Sequence, residues 1–361
     1  MGGTSSLPLS DTERTIRTKR RLGCGFGLVI LGVGLLLSVA LLYLLVLRPN
    51  PETPLGPWIP PQADIAASAL LDSSSRDAGG LIETAIRVVA PSAGRDEALD
   101  QALAAWRFFF YPRILVSARL DPQPPRLSWA AVANVKRADR LLVFILRRLF
   151  GDLIRWSGGR SADGRGRDFF VGLWGIRGTI WKTQILLSND PNWLDQVLAA
   201  RSGGASVSPL ARALRSPAPI GLSAADVNGA FAKVLDRAAA APSSPALAKA
   251  AAELRALLDR LGGTAAVDIQ GWFSFPSARL VACPSGVKIT DRAQVQAVGR
   301  ELSPILKQLL GGDLAIETAP VETPDGVGLE IRLPEFGPWL AKHVQGTRGP
   351  GPGKPTPAAR P

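Results

Sequence analysis

From Phe26 to Leu47 the chain reads FGLVILGVGLLLSVALLYLLVL, without a charged residue. A helix of that length, rising about 1.5 Å per residue, crosses the roughly 30 Å hydrocarbon core of a bilayer. The pattern predicts a single transmembrane helix over 23–47. Arg14, Arg17, Lys19, Arg20 and Arg21 stand on its N-terminal side, whereas Arg48 is followed by no basic residue until Arg76. Lys and Arg are retained on the cytoplasmic side of a membrane segment. Residues 1–22 therefore form a cytoplasmic lead, and the body beyond Arg48 lies outside a cytoplasmic (inner) membrane. The rival is a cleaved signal peptide ending near Ser38-Val39-Ala40. Against it, cleavage there leaves LLYLLVL as a greasy new terminus. Gly23 and Gly27 give a small-residue spacing through which two such helices can associate.

Beyond the apolar run the pattern changes. Residues 48–62, RPNPETPLGPWIPPQ, carry six prolines and favour extended polyproline II, a semi-rigid stalk. Residues 346–361, GTRGPGPGKPTPAARP, have too few apolar positions to pack and read as a disordered tail.

Between them lies a globular body in which one order of elements occurs twice. In the first half, 63–203, a strand at 65–71 precedes helices at 80–90 and 96–110. Two strands follow. The first alternates Ile114, Val116, Ala118 and Leu120 with polar residues. The second places Leu127, Trp129, Ala131, Ala133 and Val135 on one face. A helix over 138–156, apolar almost all round, is expected to be well buried. A hairpin around Gly175–Gly178 comes next, and Asn189-Asp190-Pro191 caps a further helix. The second half, 204–345, gives a strand at 219–222, helices at 224–240 and 245–261, a hairpin turning at Pro276-Ser277, a helix at 292–310, a hairpin on Thr323-Pro324-Asp325-Gly326, and a short helix Pro338–Val344. Helix, helix, hairpin, helix, hairpin, helix thus appears twice. The fold class expected is α+β, with mostly antiparallel sheets and helices on one face.

Composition adds limits. The net charge is +12, of which the first 22 residues hold +3 and the tail +3, leaving +6 for the rest. Basic residues are mainly Arg and Ala is abundant, which suits a GC-rich genome. A contiguous basic face with stacking aromatics is lacking, so nucleic acid is not an expected partner. The two cysteines, Cys24 at the membrane edge and Cys283 in the body, do not pair within one chain. The single histidine, His343, near the end of a short helix, leaves no basis for a Ser-His-Asp triad or a multi-histidine zinc site.

Two weak sites stand out. The stretch Ser157 to Arg167, SGGRSADGRGR, reads as a glycine-rich loop in which Arg160, Arg165 and Arg167 can hold an anion. It lacks the order of a nucleotide-binding loop. Trp129, Trp174, Trp181 and Trp272 fall on strands and can line a groove for a glycan or peptide, although rings in phase with aliphatic residues mostly fill cores. Asp121, Asp163, Asp190 and Asp325 stand beside turn formers, where local backbone bonding explains them. No catalytic residue, metal ligand or cofactor is assigned. The expected function is a membrane-anchored binding or scaffold module, facing outward, for an envelope component or a protein partner. The alternatives are an envelope hydrolase using carboxylates or a histidine-independent serine, and an accessory subunit of a membrane complex. Lipid is met through 26–47.

Overall fold

The computed structural model describes residues 49–72, 104, 106–122, 125–136, 143–144, 147–148, 154–160, 166–171, 175–203, 208–225, 229–240, 245–260, 266–284, 289–310, 313–324 and 326–346. The apolar run 26–47, the helix at 80–90 and the tail beyond 346 lie outside the described residues, as does most of the helix expected at 96–110. None of the described helices is long and apolar enough to cross a membrane. The chain divides into two compact units, Met1–Asn50 and Pro51–Pro361. The second is a mixed α and β structure.

Its centre is one twelve-stranded sheet. In chain order the strands are β1 (Ile65–Leu70), β2 (Phe110–Pro122), β3 (Pro125–Val135), β4 (Ile154–Arg160), β5 (Gly166–Val171), β6 (Ile176–Trp181), β7 (Gln184–Ser188), β8 (Ile220–Ala224), β9 (Val267–Ser274), β10 (Ser277–Pro284), β11 (Glu317–Thr323) and β12 (Gly326–Leu333). Across the sheet they run β11-β12-β10-β9-β8-β1-β2-β3-β7-β6-β5-β4. Neighbouring strands pair antiparallel, including β1 with β8, where Ala67 stands opposite Leu222. Strands from both ends of the body therefore belong to one sheet. Among the described residues the helices with complete bounds are α1 (Pro191–Ser202), α2 (Ala230–Ala239), α3 (Pro245–Arg260), α4 (Arg292–Leu309) and α5 (Phe336–Gly346).

Side chains alternate across a strand, so the register assigns each one to a face. On the first face, Ala66, Leu115, Ala130, Val132 and Leu186 pack beneath α1, which contributes Trp193, Leu194 and Val197, and beneath a 3₁₀ turn at Pro209–Arg215. Gly221 is required here: a Cβ on it would run into the Ala213 carbonyl and Ser216. On the second face, Leu329, Ile331 and Leu333 meet α4 and α5, while Val135, Ile154, Phe169 and Ile180 form a separate cluster with Val143. Helix α3 packs on α4 through Ala250, Leu257 and Ile305.

Several expectations change. The proline-rich segment is not a free stalk. Its 3₁₀ turn at Gly56–Trp58 sends Leu55, Trp58 and Ile59 into the core, where they are 6, 0 and 2% exposed. Trp58 meets the ring of Trp181 edge-on at 5.2 Å. The Thr53 hydroxyl donates to Asn134 Oδ1 at 2.7 Å and Asn134 Nδ2 donates to the Thr53 carbonyl at 2.8 Å. These contacts fasten the segment to β3. The helix expected over 138–156 gives way to β4 from Ile154, and Phe144 within it is 65% exposed rather than buried. The single hairpin expected around Gly175–Gly178 is a meander of β5, β6 and β7. Gly175 (φ +62°) lies between the first two strands, and the turn between the last two opens on Lys182 (φ +53°). The face of β3 carrying Leu127 and Trp129 is the more open one. Ser128, Ala130, Val132 and Asn134 lie opposite, each at most 1% exposed.

Candidate functional site

The glycine-rich stretch is not one loop. Ser157–Arg160 completes β4 and Gly166–Arg167 begins β5, with Arg160 opposite Arg167 in the pairing. The expected anion site thus loses its loop geometry at both ends. Arg165, with the rest of 161–165, lies outside the described residues.

Nor do the tryptophans make one groove. Trp181 is a core residue, 4% exposed. The chain of pairs Trp181↔Gln184↔Asn134 puts it on the face opposite Trp129. Trp272 shares the face of Trp181 but lies on β9, six strand positions from β6. At about 4.8 Å per strand that separation is roughly 29 Å. Trp174 lies outside the described residues. Cys24, Asp139, Asp152, Asp163 and Asp325 do too. Among the acids that are described, Asp121 pairs with Arg119 at 3.2 Å, and Asp190 caps α1. His343 is exposed, its Nδ1 2.9 Å from the Trp339 carbonyl oxygen. Among the described residues no three metal-type side chains gather.

What the structure does assemble is a polar patch on β9, β10 and β12. Gly271 of β9 faces Leu280, so its neighbour Trp272 projects from the other side, paired with Arg279. Arg279 in turn faces Arg332 across the next strand boundary. Helix α4 is on the far side, where Gly299 closes against Leu329 and Thr318. The patch is built on Glu330, whose side chain is 5% exposed. Arg332 Nη2 lies 2.8 Å from Glu330 Oε2, and Arg279 Nε donates to Oε1. Arg279 also lies over the Trp272 ring, 5.0 Å from its centroid. Burial opposes ionisation of Glu330, yet the hydrogen bonds and charges of the two arginines outweigh it and hold the carboxyl below its ordinary value.

Two guanidiniums are thereby held beside an indole, both braced by one buried carboxylate and both still partly open, at 46 and 60%. Planar forks held this way suit carboxylate or phosphate groups, and the indole suits an apolar or sugar face. Two positions farther along this face of β9, Asp268 accepts from the Ser223 hydroxyl, 2.5 Å away, and lies 3.7 Å from Arg212. Sequence reading picked out Trp272 but not its partners. Arg279 lies on β10 and Glu330 and Arg332 lie two residues apart on β12, and no local pattern shows that the register brings the two strands together beside Trp272.

No protein-family model matches the chain, and neither does any curated protein. Two solved structures of TP0453 resemble it. Crystal form III aligns with a TM-score of 0.41 at 10% identity, covering 82% of this chain and 99% of that one. Crystal form I aligns with a TM-score of 0.39 at 11% identity, covering 82% and 98%.

Proposed function

We propose that the chain is a single-pass protein of a cytoplasmic membrane whose outward-facing body is a binding or scaffold module for an envelope component or a protein partner. The observation that carries this reading is the uncharged run Phe26–Leu47 with its basic collar on the N-terminal side alone. The chain leaves that run at Leu47 and is already in the core of the body at Leu55. Trp272, Arg279 and Arg332 supply a surface on which a ligand bearing anionic groups can rest.

The strand order supports a body of two similar halves. Outward from the centre, β1-β2-β3-β7-β6 on one side is answered by β8-β9-β10-β12-β11 on the other. Like strands at the junction, β1 and β8, meet antiparallel, as a twofold axis between them requires. In the second half α2 and α3 separate β8 from β9, and α4 separates the two hairpins, the order expected from the sequence. Among the described residues, the hairpin β4–β5 has no counterpart in the second half.

A reporter fused after Gly346 tests the placement. A reporter that works only outside the cytoplasm is expected to be active, and one that works only in the cytosol is expected to be silent.

A further inference from the structure

The extra hairpin adds more than length to the sheet. Between Lys136 and Arg167 the chain carries nine basic residues and three acidic ones, a net +6. That equals the whole excess outside the N-terminal lead and the tail, so the remainder of the body is balanced. The same end of the sheet exposes large apolar side chains. Phe144 is 65% exposed although Val143 beside it is in the core at 4%, and Phe108 is 37% exposed while Phe109 packs inward. Arg107, Arg147 and Arg148 are exposed around them, and Arg147 lies over the Trp156 ring at 5.1 Å.

We propose that this end of the sheet is a membrane-contact surface: Phe108 and Phe144 enter the interface of an anionic bilayer, and Arg107, Arg147 and Arg148 meet its headgroups. The inference rests on the anchored reading above. Aromatic rings beside arginines on short helical segments match the two layers of an interface, apolar below and anionic above. Polybasic surfaces next to a membrane are drawn to acidic lipid. An acidic polypeptide or polysaccharide would account for the arginines but would leave Phe144 in water.

The test uses the full chain reconstituted into vesicles of phosphatidylcholine, with or without phosphatidylglycerol. Cys24 and Cys283 are replaced by Ser, and an environment-sensitive fluorophore is placed by Phe144→Cys or, as a control, by Leu247→Cys on α3. Brominated lipid is expected to quench the label at 144 several-fold more than the label at 247, and only with phosphatidylglycerol present. Arg147→Glu with Arg148→Glu is expected to abolish the difference. Equal quenching at the two sites, or a label at 144 that is shielded by soluble polyaspartate and not by lipid, overturns the proposal. Carbonate extraction of the same vesicles separates the two readings. Protein that stays in the pellet while 144 remains unquenched sinks the contact surface alone, and protein released to the supernatant sinks the anchor.

Discussion

Asp190 shows how much one side chain settles. Its carboxylate accepts from the Asn192 amide at 2.9 Å and from the Ser128 hydroxyl at 2.7 Å, so it starts α1 and ties it to β3. Burial disfavours its charge, but those bonds and the nearby Arg126 prevail, and its carboxyl is held below the ordinary value. Removing an N-cap of this kind costs about 1–2 kcal/mol. Asp190→Ala should lower stability to urea by that amount, whereas Asp190→Asn, which keeps the cap, should lose less. Glu330 follows the same sign. With both carboxyls depressed in the fold, their stabilising contributions are complete above the unfolded value of about 4 and fade as pH falls through the folded values. Glu330→Gln should cost about 1 kcal/mol at neutral pH, since the arginines are half in water. It should also shrink the acid-induced loss measured by urea melts at descending pH. An undiminished acid loss would show that the carboxylate contributes nothing to the pH dependence.

At the scale of elements, much was legible and the exceptions have causes. Strands β1, β2, β3 and β8 through β12 and helices α1, α3 and α4 fall close to where periodicity put them, because each has an apolar stripe at its own period. The cap Asp190-Pro191 was readable for the same local reason. The proline segment was misread because proline density reports on backbone stiffness and not on whether Leu55 and Trp58 find a core. Truncating Trp58 to Ala should therefore destabilise the body by about 3–5 kcal/mol in chemical denaturation. A spacer would tolerate the change. The inner face of β3 was missed because Ser128 and Asn134 are polar. Burial of Asn134 becomes tolerable only once Thr53 and Gln184, 81 and 50 residues away, satisfy its amide. β4 and the start of β5 were missed because WSGGR and GRD are weak strand formers, held as strands by the pairing of β4 with β5 and of β5 with β6. The patch around Glu330 was invisible for the same reason, since register is a property of the sheet.

The whole molecule is organised by the β1–β8 junction. Two sets of strands in like order meet there, and one of them carries an additional hairpin at its far end, in the stretch that holds the body's excess charge. Along the sequence, residues 136–167 carry +6, and the rest of the body outside the lead and the tail is balanced. Leu55 and Trp58 enter the core on the side of the junction that carries the β4–β5 hairpin. All of this has a function at a membrane surface only if residues 26–47 hold the body there, facing outward. The most direct measurement compares paired reporters after Gly346 in the intact chain and in one lacking 26–47. Export-dependent activity that disappears with the deletion is the predicted result. Equal cytosolic activity in both chains would contradict the account.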